Sequence, residues 1–240
     1  RFVDGAVVVI ELGFILFRRG REAMEERIRI PEADLDRLAR LLDEHGGIMF
    51  CVPHNPGSVF SSTVIERRVK TVLVSRNSPT VDRTKIALDI YERLGATVLM
   101  VRDANPIELA RVCLRLLREN TLVAATVDRI DRHPTRTMVR MFGQPVGFGS
   151  WAAKFAVRSE VPLVPIYIHT RKDGLELETG PERICATIEE GMEHYLRFFE
   201  KKVLQDPASW SFLADRRWRW VLRDGVVGRP DSDGGLVRPD

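Results

Sequence analysis

The chain has 240 residues, 44% of them apolar and 30% charged, which excludes a disordered or fibrous protein and allows a sizeable core. Its net charge of +3, from 37 basic and 34 acidic residues, creates no demand for a nucleic-acid partner. Three cysteines, Cys51, Cys113 and Cys185, form no C-x-x-C pair and sit among apolar neighbours, so they read as reduced core residues.

The chain begins at Arg1 without a methionine and shows no secretory signal, which leaves room for an upstream segment. The apolar run at 6–17 carries Glu11 and falls short of the roughly 20 residues that span a bilayer. It predicts a buried or interfacial helix. Arg18, Arg19 and Arg21 follow and suit an anionic membrane surface, so residues 1–30 read as an apolar and basic membrane-proximal segment. Residues 32–45 have helical periodicity between Pro31 and Gly46-Gly47. Continuous apolar runs at 48–52, 71–75 and 97–101 predict buried strands. A helix over 80–94 lies between the last two, with Gly95 at its C-terminus. Asn105-Pro106-Ile107-Glu108 opens a helix to about Asn120, with a capping asparagine and proline at the first helical position. Strands follow at 121–127, 136–142 and 161–169. Residues 175–179 alternate and predict an exposed or edge strand, and 185–204 predict a long amphipathic helix. From Gly225 onward Gly, Pro and Asp dominate, which predicts a disordered tail over 225–240. Strands alternating with helices imply an α/β fold, a mostly parallel central sheet flanked by helices, in a single domain over 1–224.

In such sheets ligands bind beyond the carboxyl ends of the strands. His54 lies there, after the strand at 48–52 and before the turn Asn55-Pro56-Gly57-Ser58. A histidine so placed can act as general base toward a hydroxyl. Asp128-Arg129-Ile130-Asp131-Arg132 follows another strand and offers carboxylates to orient a base and arginines to bind an anion. Gly147, Gly149 and Ala152 match G-x-G-x-x-A, which read literally suggests a nucleotide. Read as a flexible loop before a helix, residues 147–150 can meet an oxyanion or phosphate. Residues 210–220 interleave aromatic and basic side chains, a mixture found in membrane-interface segments, in nucleic-acid stacking surfaces and in plain structural caps. Basic residues gather near these stretches: Arg67, Arg68, Lys70 and Arg76, then Arg129, Arg132, Arg136 and Arg140, then Arg216, Arg217 and Arg219. On one side of the sheet they would form a funnel for an anionic partner.

From about Gly47 to Trp220 the order of these pieces resembles the lipid A-type (lauroyl and myristoyl) branch of the lysophospholipid acyltransferase family. The resemblance rests on His54 after an early strand, Val127-Asp128-Arg129 after a later one, Arg140-Met141-Phe142-Gly143-Gln144-Pro145 leading to Gly147-Phe148-Gly149-Ser150, the strand containing Val161-Pro162, the Asp173-Gly174 hairpin, and Pro207, Trp210, Arg216 and Arg217 near the end. It implies acyl transfer from an acyl thioester, on coenzyme A or acyl carrier protein, to a hydroxyl of a membrane lipid or glycolipid at the cytoplasmic face of the inner or plasma membrane. It implies His54 as general base, with Asp128 or Asp131 orienting it or the acceptor. Asn55, Arg76, Arg129, Gly147, Gly149 and Ser150 are the candidate substrate-binding residues, the arginines for phosphate and the backbone at 147–150 for the oxyanion. No metal or redox cofactor is implied. One position departs from the pattern H-x-x-x-x-D/E: Val59 stands where the family has an acid. Asp128, Asp131 and Asn55 are the candidates to take over that role. Two other readings stay open: a catalytically impaired acyltransferase-like protein that binds lipid or carrier protein, and a nucleotide-dependent enzyme using the Gly147 loop.

Overall fold

The computed structural model describes residues 2–76, 80–101 and 105–224, and the tail at 225–240 lies outside them. The first half runs α1 (Phe2–Arg19), α2 (Arg21–Glu25), β1 (Ile28–Arg29), α3 (Glu32–His45), β2 (Gly47–Val52), α4 (Ser58–Glu66), β3 (Thr71–Ser75), α5 (Val81–Leu94), β4 (Val98–Met100), α6 (Pro106–Leu116) and β5 (Thr121–Thr126). The second half runs β6 (Thr137–Met141), β7 (Gln144–Phe148), α7 (Trp151–Ser159), β8 (Leu163–Arg171), β9 (Gly174–Thr179) and α8 (Ile188–Gln205). Two 3-10 turns, Pro207–Ser209 and Ser211–Ala214, then lead to α9 (Arg216–Asp224).

Among the described residues seven strands form one sheet in the order β1-β9-β8-β2-β5-β3-β4. Every neighbouring pair is parallel except β8–β9, as expected of an α/β fold with a mostly parallel sheet. All six residues of β2 are buried, which explains its unbroken apolar run. The strand has to start with glycine: a Cβ on Gly47 would lie 2.0 Å from the Leu117 carbonyl oxygen. Asn105 caps α6 as predicted, its Oδ1 accepting the N–H groups of Ile107 (2.9 Å) and Glu108 (3.4 Å). That helix stops at Leu116, short of Asn120. Asn120 instead adopts a left-handed φ of 51° and donates its N–H to the Gly46 carbonyl at 2.8 Å, steering the chain into β5 beside β2.

Successive residues of β2 and β5 feed opposite faces of the sheet. Met49, Cys51, Val123 and Ala125 pack with α7, α8 and the buried Trp210 and Trp218. Ile48, Phe50, Leu122 and Ala124 pack with α1, α3 and α4. All three cysteines are free and buried, and burial pushes the Cys113 thiol up to about 11.

Three expectations need correction. Residues 175–179 are not an edge: β9 lies between β8 and the two-residue β1. Leu175 and Leu177 pack with α1 residues Val8 and Leu12, so an interior strand with one solvated face alternates as an edge strand does. Of residues 147–150, expected as a flexible loop, Gly147 and Phe148 are part of the strand β7, which pairs with β6 in a separate antiparallel hairpin. Its two-residue turn, Phe142-Gly143, has φ of 53° and 77°, the conformation that keeps hairpin twist. The helix expected from 185 starts at Ile188, where Thr187 accepts the Glu190 N–H at 3.2 Å and the Glu190 carboxylate accepts the Ala186 N–H at 2.9 Å.

Two carboxylates tie distant elements together. Burial works against the charge on Glu25, but Arg21, Arg67 and Thr63 hold its carboxyl below the ordinary 4.5. Burial likewise opposes ionisation of Asp206, and His169, Ser209 and Arg171 outweigh it and hold it below 3.8. Because both values are lower folded than unfolded, their stabilisation is complete above about pH 4.5 and is lost as pH falls through the lowered values. Thermal melts between pH 7 and pH 3 should therefore show a flat Tm near neutrality and a fall below pH 4. The Asp206→Asn variant should start lower and fall less.

Candidate active site

The chain leaves β2 for β3 on one side and reaches β8 from β5 on the other, so the carboxyl ends of β2 and β5 form the switch point of the sheet. Val52 of β2 is paired with Thr126 of β5. Two residues further along each strand, His54 and Asp128 therefore stand side by side, at about the 4.8 Å spacing of neighbouring strands. The His54 N–H donates to Asp128 Oδ2 at 3.0 Å, and Nδ1 of the ring pairs with Oδ1. This pairing puts the ring proton on Nδ1 and leaves Nε2, which makes no hydrogen bond to a described residue, as the basic nitrogen.

Asp128 is fully buried, whereas the His54 side chain is 32% exposed, so the imidazole reaches solvent and its carboxylate partner does not. A buried carboxylate needs several donors. Asp128 has a third in Trp210, whose Nε1–H donates to Oδ2 at 2.7 Å. Phe212 stacks on the imidazole, with ring centroids 4.2 Å apart and planes 26° from parallel. The Ser211 N–H donates to the His54 carbonyl at 2.7 Å.

Three adjoining cavities meet at His54 and Arg129, which line all of them. The first, about 580 Å³, is basic, walled by Arg132, Arg216 and Arg217 with Trp218 and Trp220. The second, about 460 Å³, runs between α4 and the sheet along Phe50, Val52, Val59, Leu73, Ala124 and Ile168 and is mainly apolar. The third, about 740 Å³, lies toward α6 and α7, between Arg76, Leu109, Asp131, Gly149, Trp151 and Phe155.

The candidate residues separate accordingly. His54, Asp128, Arg76 and Arg129 converge; neither arginine pairs with a carboxylate among the described residues. Asp131 lines the third cavity but does not meet the ring: its Oδ1 accepts the His133 N–H at 2.9 Å. Asn55 is buried with its amide engaged at both ends, Nδ2 by the Ser209 carbonyl and Oδ1 by the Ile168 N–H at 3.2 Å. Gly147 lies in the hairpin, where a Cβ would come within 2.5 Å of Arg136 Cδ and 2.9 Å of the Asp131 oxygen. Gly149 and Ser150 lead into α7, whose first residue Trp151 lines the third cavity beside Gly149. The G-x-G-x-x-A spacing thus follows an antiparallel hairpin, without the parallel strand a dinucleotide site requires.

The expected funnel of basic residues is only partly assembled. Arg76, Arg129, Arg132, Arg216 and Arg217 line the cavities, but Arg67 and Arg68 precede β3 and sit at the opposite end of the sheet, paired with Glu25 and Glu32. Arg136 packs on Gly147, and Arg140 donates to the Gly143 carbonyl at 2.8 Å. Val59 occupies the first turn of α4 as a wall of the apolar cavity. Glu66 lies at the other end of α4, 4.0 Å from Arg21. Among the described residues no group of three or more His, Cys, Asp or Glu side chains is arranged to hold a metal ion.

The roles of Trp210 and Phe212 were not visible in the sequence. Their aromatic and basic setting had stood out, but nothing in its spacing says that it folds back over the end of β2.

Comparison with models of protein families matches residues 2–220 to the bacterial lipid A biosynthesis acyltransferases. The chain belongs to that family. No curated protein matches it. The seven-stranded sheet with the acyltransferase's histidine at its switch point agrees with the fold the resemblance implied.

Proposed function

We propose that the acyltransferase moves a fatty acyl group from a thioester of coenzyme A or acyl carrier protein to a hydroxyl of a membrane lipid or glycolipid. The observation that carries this reading is the His54–Asp128 pair opening onto an apolar cavity on one side and a basic one on the other. Nε2 of His54 takes the proton of the acceptor hydroxyl as its oxygen attacks the thioester carbonyl carbon. Asp128 holds the tautomer and stabilises the imidazolium. The tetrahedral oxyanion would be met by N–H groups at the start of α7, near Gly149 and Ser150. Collapse breaks the C–S bond, and the departing thiolate recovers the proton from the imidazolium. The apolar cavity suits the acyl chain, and Arg129 and Arg76 suit phosphate on donor or acceptor. Incubation with acyl-coenzyme A and acyl-carrier thioesters against a panel of lysolipids and glycolipids, read by mass spectrometry, tests the reading. Acylated lipid is the expected product, and thioester hydrolysis alone would overturn the assignment.

The impaired-enzyme reading drew on Val59. Since Asp128 already satisfies Nδ1, an acid at 59 would enter the apolar cavity instead. Val59→Asp should therefore lower turnover with long-chain donors. A rise of tenfold or more would mean that Val59 marks a lapsed site.

The membrane surface is placed on α1 in this reading. That helix buries Val8, Leu12 and Leu16 and exposes Val7, Ile10, Phe14 and Phe17 along the other face. Among the described residues no helix is long and apolar enough to cross a membrane. Arg18 and Arg19 are exposed beside this stripe, but Arg21 is not available to lipid: it bonds Glu25 (2.6 Å) and the Leu94 carbonyl (2.7 Å). The double variant Ile10→Asp, Phe14→Asp should lose most co-sedimentation with anionic vesicles at unchanged Tm. Full retention would place the contact elsewhere.

A further inference from the structure

The segment from Ser209 to Phe212 touches every part of the catalytic pair. The Ser209 carbonyl accepts the Asn55 amide, Trp210 bonds the Asp128 carboxylate, Ser211 bonds the His54 carbonyl and Phe212 covers the imidazole. Trp210 is itself fully buried and held by other rings, Trp218 at 4.9 Å and Phe142 at 5.9 Å between centroids. A buried indole N–H must find an acceptor. Here the acceptor is the carboxylate that faces the base. Among the described residues Oδ2 of Asp128 takes two N–H groups, those of Trp210 and of the His54 backbone, while Oδ1 takes the imidazole. Removing the indole N–H leaves Oδ2 with the His54 backbone N–H alone and so weakens the hold that keeps Oδ1 against the ring.

We infer that Trp210 is a positioning residue for acyl transfer: its indole N–H fixes the Asp128 carboxylate against His54, so that the C-terminal strap completes the catalytic pair that position 59 leaves without an acid. The inference rests on His54 acting as the general base. In this arrangement the strap supplies part of the active site as well as a lid on the core. The sequence between the Asp128 loop and Trp210 then has to close before the base is set, which makes an intact 209–212 segment a condition of turnover.

The test uses the full chain with a thioester and acceptor that the wild type turns over. Trp210→Phe keeps an aromatic ring and loses the N–H. The expected result is a fall in kcat of about 10- to 100-fold with KM changed by less than about threefold, the range typical of residues that orient a primary group. Placed on Asp128→Asn, the same change should cause no further loss, because the carboxylate it positions is gone. Unchanged kcat in the single variant, or losses that multiply in the double variant, would overturn the inference. Should Trp210→Phe fail to fold, proton–nitrogen spectra of wild type and Asp128→Asn decide the question. The Trp210 indole resonance, assigned by elimination with Trp151→Phe, Trp218→Phe and Trp220→Phe, should move on replacement of Asp128 while the other indoles stay. A stationary Trp210 resonance counts against the inference. If His54→Ala keeps its activity, the proposed function fails first; if His54→Ala is dead and Trp210→Phe is intact, the inference alone fails.

Discussion

Asp128→Asn is expected to lower kcat by about 10³- to 10⁴-fold while leaving KM and the fold nearly unchanged, and His54→Ala to lower it to background. The asparagine result follows from counting donors. In the native protein Oδ1 meets the imidazole Nδ1–H, and Oδ2 accepts the His54 backbone N–H and the Trp210 indole N–H. An asparagine has one oxygen and one NH₂ group. Turned with its NH₂ toward Oδ2's partners, it would set a donor against two buried donors, each left unsatisfied at a penalty of about 1–3 kcal/mol. The amide therefore settles with its oxygen on that side and its NH₂ facing Nδ1. Nδ1 must then accept, the ring proton moves to Nε2, and the nitrogen that should take the acceptor's proton is already protonated.

His54→Ala differs in kind. It removes the base and leaves the Asp128 carboxylate with its two remaining N–H donors, so the variant should fold. Steady-state kinetics with one acyl thioester, together with thermal melts, checks both variants. Asp128→Asn within tenfold of wild type would mean that the carboxylate only braces the loop. His54→Ala at wild-type turnover would remove the proposed mechanism altogether.

The alternating elements were legible because each obeys a local rule. β2 and β5 are buried on both faces, and α3, α5 and α6 carry periodic apolar stripes with recognisable caps. His54 stood out for the same reason, as a histidine just past such a strand. Its partner did not. Asp128, Asp131 and Asn55 all lie near strand ends in the chain, and only the pairing of Val52 with Thr126 tells which carboxylate stands opposite the ring. The register between strands some 70 residues apart cannot be read from the local spacing of either strand alone. The same limit hid Trp210, whose partner is 82 residues away in sequence. It also made Asn55 look like a groove residue when its amide is spent on the backbone of β8 and the strap. Val59 departs from a family pattern that is linear; under the proposed function the carboxylate beside the ring is that of Asp128, after the neighbouring strand, while the valine lines the apolar cavity.

That cavity gives the second large effect: Ala124→Leu should shift donor preference toward shorter acyl chains, lowering kcat/KM for the longest by about 100-fold. Ala124 belongs to the α4-side cluster with Phe50 and Val52 and contributes a methyl to the cavity wall. Leu73, Ile166 and Ile168 on that wall are already bulky, whereas Ala124 is one of its small residues. Leucine there adds three carbons to a space of about 460 Å³ that the acyl chain would otherwise fill. A pocket discriminates by about 1–3 kcal/mol per methylene, and displacing the end of the chain by two or three of them suffices for the shift. The added side chain grows into empty volume and not into packed core, so the penalty of roughly 1–3 kcal/mol for overpacking should be largely avoided and Tm should hold. A series of thioesters from two to eighteen carbons, assayed on both proteins, separates the outcomes. Short donors should be used equally well, with the curves diverging as the chain lengthens. A uniform loss at every length would show distortion of β5 and of the Asp128 loop beyond it. Identical curves would show that the acyl chain takes one of the other two cavities at His54.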